Sequence, residues 1–123
     1  MKSLKTDATE NTLRIAFDAE TGVMEIEGVS YPENAMDFFN PLDTWLRDYI
    51  SEGRAVTLNL KVGYLNSSST KCLLDFIQTL EEYHEGGGKA NIAWYYEKDD
   101  EDIQEMGEDL AEDLTLPVEL IPY

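Results

Sequence analysis

Apolar residues recur along this chain with two different periods, and the changes of period divide it into elements. Leu13 to Phe17 and Val23 to Glu27 are short strand-like runs. Asp18-Ala19-Glu20-Thr21-Gly22 joins them, a five-residue connection containing Gly that predicts a β-hairpin. Ser30-Tyr31-Pro32-Glu33-Asn34 closes this β region. From Asn34 to Glu52, the residues Met36, Phe39, Leu42, Trp45, Leu46, Tyr49 and Ile50 are spaced by threes and fours, which predicts a helix packed through that stripe. Pro41 lies inside it and has no N–H, so either the helix kinks there or a new one starts.

In Ala55 to Leu65 the period becomes two, with Val56, Leu58, Leu60 and Val62 on one face, as a half-buried strand requires. Leu73, Phe76, Ile77, Leu80 and Tyr83 return to helical spacing until Gly86-Gly87-Gly88 stops the helix. Ala90 to Tyr96 is the next strand. Ile103, Met106, Leu110 and Leu114 mark a third helix, and Pro117 to Tyr123 a last short strand. The order β-β-α-β-α-β-α-β predicts an α/β (α+β) fold, one mixed sheet with helices packed on it. Strand-helix-strand units of this length imply crossover connections and parallel pairing, with the hairpin as an antiparallel edge. Residues 1–123 form a single domain, large enough for one core without disulfide or metal staples.

The junction between the Ala55–Leu65 strand and the helix after it is unusual. Leu65-Asn66 is followed by Ser67-Ser68-Ser69-Thr70, four hydroxyls where a single helix cap would suffice. No carboxylate precedes Asp75, although acids normally occupy a first turn to offset the positive end of the helix dipole. Free amides, hydroxyls and Lys71 suit an anion, either a ligand's phosphate or one attached to a Ser. The structural alternative is an over-supplied cap on a serine-rich loop.

Composition narrows the partners. Nine Lys and Arg against 26 Asp and Glu give 9 − 26 = −17, a charge that disfavours nucleic acid and anionic membranes. Glu97 to Asp113 alone holds ten acids and one Lys, read as a solvated helix face that steers toward basic protein surfaces. Cys72 has no second cysteine to pair with and is placed on the apolar side of its helix, and Met1 to Thr12 is polar. The expected protein is therefore soluble, cytoplasmic and a monomer when alone.

Familiar catalytic and cofactor patterns fail residue by residue. Gly86-Gly87-Gly88-Lys89 is no phosphate loop, because Tyr83 and Ala90 stand where Gly and Ser or Thr belong. Taking Gly107 as the sixth residue of a calcium loop puts Gln104 and Met106 at ligand positions and Asp113 at the last. Cys72 and His84 alone cannot build a zinc site, and no nucleophile-elbow sequence surrounds any Ser. The residues point to a non-catalytic protein without a cofactor.

Leu65-Asn66-Ser67-Ser68-Ser69, Tyr31-Pro32-Glu33-Asn34, Trp94-Tyr95-Tyr96 and the acidic helix occur in an order that resembles the SiaC-type biofilm-regulation phosphoproteins. The resemblance covers nearly the whole chain. That family is similar in turn to the STAS domains of anti-sigma-factor antagonists. The resemblance implies a phosphoacceptor at Ser67, with Asn66, Ser68, Ser69 and Lys71 around it. Ser68, Ser69 and Thr70 remain alternatives, because Ser replaces the Thr of some members and Thr70 is additional. It further implies a kinase of histidine-kinase-like fold that modifies Ser or Thr and an opposing serine/threonine phosphatase. The implied target is a diguanylate cyclase, bound and activated by the unphosphorylated form. A STAS-type sigma-factor regulator, and an enzyme or binder of a phosphorylated small molecule, are the competing expectations.

Overall fold

In the computed structural model, which describes residues 1–123, six strands and three helices alternate after an antiparallel start. The strands are β1 (Leu4–Thr6), β2 (Arg14–Phe17), β3 (Val23–Ser30), β4 (Val56–Leu65), β5 (Ala90–Tyr96) and β6 (Val118–Pro122). The helices are α1 (Ala35–Ile50), α2 (Ser67–Glu85) and α3 (Glu101–Asp113). Spatial order in the sheet equals sequence order. β1, β2 and β3 pair antiparallel, whereas β3 to β6 pair parallel through three β-α-β steps. Each step moves to the next strand in the same direction, and crossovers of one hand then lay every helix on the same face.

One buried cluster accordingly joins Leu58 and Leu60 of β4 to Phe39 and Leu46 of α1, Leu73 and Phe76 of α2, and Ile103 and Leu110 of α3. The opposite sheet face is polar. Arg14 Nε lies 3.2 Å from Glu27 Oε1, and Lys61 Nζ lies 3.9 Å from Glu27 Oε2, across register-matched positions of β2, β3 and β4. Such opposite-charge pairs are the cross-strand contacts a water-facing sheet surface favours.

Three features depart from the sequence expectation or resolve it. β1 was not predicted, since only Leu4 of its three residues is even half-buried and no period can show in so short a run. α1 runs unbroken through Pro41, which sits on the exposed side. The hydrogen bond lost there is outweighed by the buried row Ala35, Phe39, Leu42, Trp45, Leu46 and Tyr49. Met36, expected in that row, is exposed. No helix is long and apolar enough to cross a membrane.

Gly107 sets how closely α3 approaches the sheet. Trp94 is fully buried and donates its indole N–H to the Ile103 carbonyl at 2.9 Å. A Cβ on residue 107 would run into the Trp94 ring and come within 2.8 Å of Leu120 Cδ2. Gly107→Ala gains about 1 kcal/mol of helix propensity but overpacks a site where about 1–3 kcal/mol is the usual cost. We expect a net loss of about 1 kcal/mol, seen as a lower urea midpoint at unchanged slope. An unchanged midpoint would mean that α3 rides freely over Trp94.

Candidate functional site

The three helices begin at the same end of the sheet, after the carboxyl ends of β3, β4 and β5. Two of these N-termini are conventionally compensated. Asn34 caps α1 by accepting from Asp37 N–H, and Asp37 itself is acidic. Asp100 caps α3, with Glu101 and Asp102 in the first turn. In α2 the first turn holds no acid, so the positive end of its dipole is left uncompensated.

The cap of α2 is Asn66 and not one of the hydroxyl residues. Asn66 Oδ1 accepts from Ser69 N–H at 2.9 Å. The Asn66 backbone N–H donates to the Ser30 carbonyl at 2.9 Å, and Asn66 Nδ2 to the Pro32 carbonyl at 3.4 Å. These bonds tie the cap to the end of β3, where the pairing of β3 with β4 shifts register before Ser30 meets Leu65.

Burial sorts the four hydroxyls. Ser69 is fully buried, with its Oγ 2.7 Å from Ser30 Oγ. Thr70 Oγ1 donates back to the Asn66 carbonyl at 3.0 Å. Ser67 and Ser68 are exposed. Ser67, the first residue of α2, borders a shallow depression shared with Leu65, Thr70, Lys71, Leu74 and Asp75. Ser68 borders the groove between α1 and α2, which Met36, Asn40, Asp43 and Cys72 also line.

Lys71 is on the same side as Ser67, but its ammonium is engaged. Its Nζ lies 3.0 Å from Asp75 Oδ2, a hydrogen bond that raises the Lys71 pKa. Asp43 is pushed up by burial, against the pull of Arg47, and its Oδ1 is buried without a hydrogen-bond partner. Cys72 is half-buried, and burial pushes its thiol up, with Asp75 and Asp43 adding to the rise.

Exposed apolar side chains gather at the same place. Tyr31 and Tyr64 have ring centroids 6.1 Å apart at the ends of β3 and β4, 47% and 63% exposed. Met36 on α1 is 63% exposed and Leu74 on α2 is 39% exposed. Only Met1 and Tyr123 among the exposed large apolar residues lie outside this group, so the exposed apolar surface is concentrated around Ser67. Concentrated apolar surface of this kind marks an interaction site. The sequence did not show this rim: Met36 fits the core spacing, and Tyr64 continues the inward parity of Leu60 and Val62. Tyr64 instead stands at the mouth of a groove shared with Thr70, Asp102 and Met106.

Comparison with known proteins agrees with this picture. The family described as SiaC family regulatory phosphoprotein matches residues 6–123. The chain is similar to SiaC of Pseudomonas aeruginosa as solved in complex with the diguanylate cyclase SiaD, of which SiaC is the activator. The TM-score is 0.93 at 31% identity, over 98% of this chain and 99% of that one. For apo-SiaC from the same organism the values are 0.91 and 32%, over 98% and 99%. An uncharacterised protein of Pseudomonas aeruginosa strain UCBPP-PA14 is 34% identical over 118 residues, 95% of this chain and 94% of that protein. With a match that omits only the first five residues, the chain belongs to the SiaC family of regulatory phosphoproteins and is a regulator rather than an enzyme.

Proposed function

We propose that this protein is a phosphorylation-controlled activator of a diguanylate cyclase, that its unmodified form binds the cyclase, and that Ser67 carries the phosphate. The observation that carries the reading is the position of Ser67. It is an exposed hydroxyl at the start of the one helix whose first turn lacks an acid, beside the exposed apolar rim. A phosphate there meets the dipole and free amides, with Asn66, Ser68, Ser69 and Lys71 forming its surroundings. Ser69 would have to leave its buried bond to Ser30, and Thr70 its bond to Asn66, to accept a phosphate. Ser68 opens instead on the groove that adds Asp43 to the Lys71 and Asp75 found beside Ser67, where a further anion is repelled.

A kinase of histidine-kinase-like fold adds the phosphate and a serine/threonine phosphatase removes it, in the cytoplasm, as part of cyclic di-GMP control of biofilm formation. The test is cyclase activity with unmodified, phosphorylated and Ser67→Ala protein, together with the intact mass and phosphosite of protein taken from cells. Activation by the unmodified and Ser67→Ala forms only supports the reading. Capture of an anti-sigma kinase in place of a cyclase would move the protein to the sigma-factor class.

The acidic face of α3 has a separate role in encounter. Glu105, Glu108 and Glu112 are exposed, and charges screened over about 8 Å act mainly on the rate of approach. Replacing all three by Gln is expected to slow association and flatten its salt dependence with little change in dissociation. A large rise in dissociation rate would place α3 inside the interface.

A further inference from the structure

We propose that phosphorylation makes Lys71 exchange Asp75 for the phosphate, and that this exchange carries the signal from the end of α2 into the groove between α1 and α2. The inference rests on Ser67 as the phosphoacceptor. Ser67, Lys71 and Asp75 follow one another at four-residue intervals and border the same depression. Lys71 therefore stands between an acid one turn toward the C-terminus and a hydroxyl one turn toward the N-terminus.

The present pair is loosely held. The Lys71 and Asp75 side chains are 79% and 65% exposed, and exposed pairs of this kind are readily replaced. Their order is also the weaker one on a helix, where an acid placed before its base is favoured over the reverse. Phosphate on Ser67 would create the favoured order. It would also bring about −1.5 to −2 charges against the single charge of Asp75.

No other cation competes. Among the residues bordering the depression and the grooves on either side, Lys71 is the only base. The remaining charged groups there are Asp43 and Asp75 toward α1, and Asp100 and Asp102 toward α3. Arg47 of α1 is directed to Thr79, 3.4 Å away.

The consequence lies in the α1/α2 groove. While Lys71 pairs with Asp75, the groove holds one neutralised carboxylate and Asp43. Once Lys71 turns to the phosphate, Asp75 loses its partner and Asp43 keeps only the pull of Arg47, so the groove beside Met36 and Cys72 becomes more negative. A partner side chain seated there feels the phosphate without touching it.

The test is a phosphorus NMR titration of protein phosphorylated on Ser67, with the site verified by mass, in the wild-type, Lys71→Met, Lys71→Arg and Asp75→Asn backgrounds. If Lys71 holds the phosphate, Lys71→Met raises its second pKa by about 0.3 unit. Lys71→Arg restores the value, and Asp75→Asn leaves it nearly unchanged. The exchange is overturned if Lys71→Met has no effect. It is equally overturned if Asp75→Asn lowers the value as much as Lys71→Met raises it, because Lys71 was then still on Asp75.

Alkylation of the single cysteine, Cys72, reads the groove itself. Phosphorylation is expected to slow it by about twofold in the wild type, because a thiolate loses its nearby cation, and to slow it less in Lys71→Met. Equal slowing in both would show that the groove senses the phosphate directly, against the exchange. Absence of phosphate from Ser67 overturns the phosphoacceptor assignment, whereas phosphate on Ser67 with an unresponsive titration overturns the exchange alone.

Discussion

Protein phosphorylated on Ser67 is expected to lose its target at least about a hundredfold in affinity while remaining fully folded. The folded domain has room for the charge. Ser69 N–H is taken by the Asn66 side chain and Thr70 N–H by the Asn66 carbonyl. The amides of Ser67 and Ser68 are the first-turn donors left for an anion. The melting temperature should therefore be no lower than that of the unmodified form. The cost falls on the complex, where a dianion in the middle of the apolar rim must be desolvated against the partner. A penalty of only about 3 kcal/mol already exceeds a hundredfold. Ser67→Ala should fold normally and activate the cyclase constitutively. Ser67→Asp carries one charge on a shorter arm and should reproduce the loss only in part. Equal binding of phosphorylated and unmodified protein, or phosphate mapped to Ser68 with Ser67 free, would overturn the assignment.

What was legible in the sequence follows from what periodicity can record. Ala90 to Tyr96 is found with both ends correct, because its apolar run is bounded by glycines on one side and acids on the other. The helix after Leu65 is equally plain, since Leu73, Phe76, Ile77 and Leu80 are all buried on one side. Periodicity cannot report on a three-residue edge such as β1, nor choose between a kink and a restart at Pro41. That choice was made by the buried row on the far side of α1, a tertiary effect. At the site, the missing first-turn acid was readable from composition alone. The cap was not, because assigning it to Asn66 required the bonds that Asn66 makes to Ser30 and Pro32 across the end of β3. The separation of buried Ser69 from exposed Ser67 likewise depends on Ser30, 39 residues away in the chain.

Glu81 shows the same limit in its sharpest form and gives the largest stability effect we expect. In the sequence it is one acid beside Glu82 and near Glu85, indistinguishable from a solvated helix face. In the fold it is 5% exposed, and both of its oxygens are occupied. Oε1 accepts from Thr115 N–H and Leu116 N–H, each at 3.0 Å. Oε2 accepts from Thr115 N–H and the Thr115 hydroxyl, each at 2.9 Å. The carboxylate thus pins the far half of α2 to the turn between α3 and β6. Glu81→Ala leaves those donors without their charged acceptor and should cost about 3 kcal/mol, or roughly 10 °C in melting temperature. Glu81→Gln should fall between, since its amide NH2 would face a donor. Burial alone would raise the Glu81 pKa, but the N–H groups of Thr115 and Leu116, the Thr115 hydroxyl and nearby His84 more than offset it and hold the group below its ordinary 4.5. A lowered folded value means that the ionised form stabilises the fold. That contribution is complete above about pH 4.5 and is lost as pH falls through the folded value. The wild-type advantage over Glu81→Gln, measured as a difference in urea midpoint, should hold from pH 7 to pH 5 and shrink toward pH 3. A gap that stayed constant to pH 3 would mean that the carboxylate acts through its shape and not its charge. Glu81 lies fourteen residues along α2 from Ser67, roughly 21 Å away, so Glu81→Gln should still bind its target normally at temperatures where it is folded.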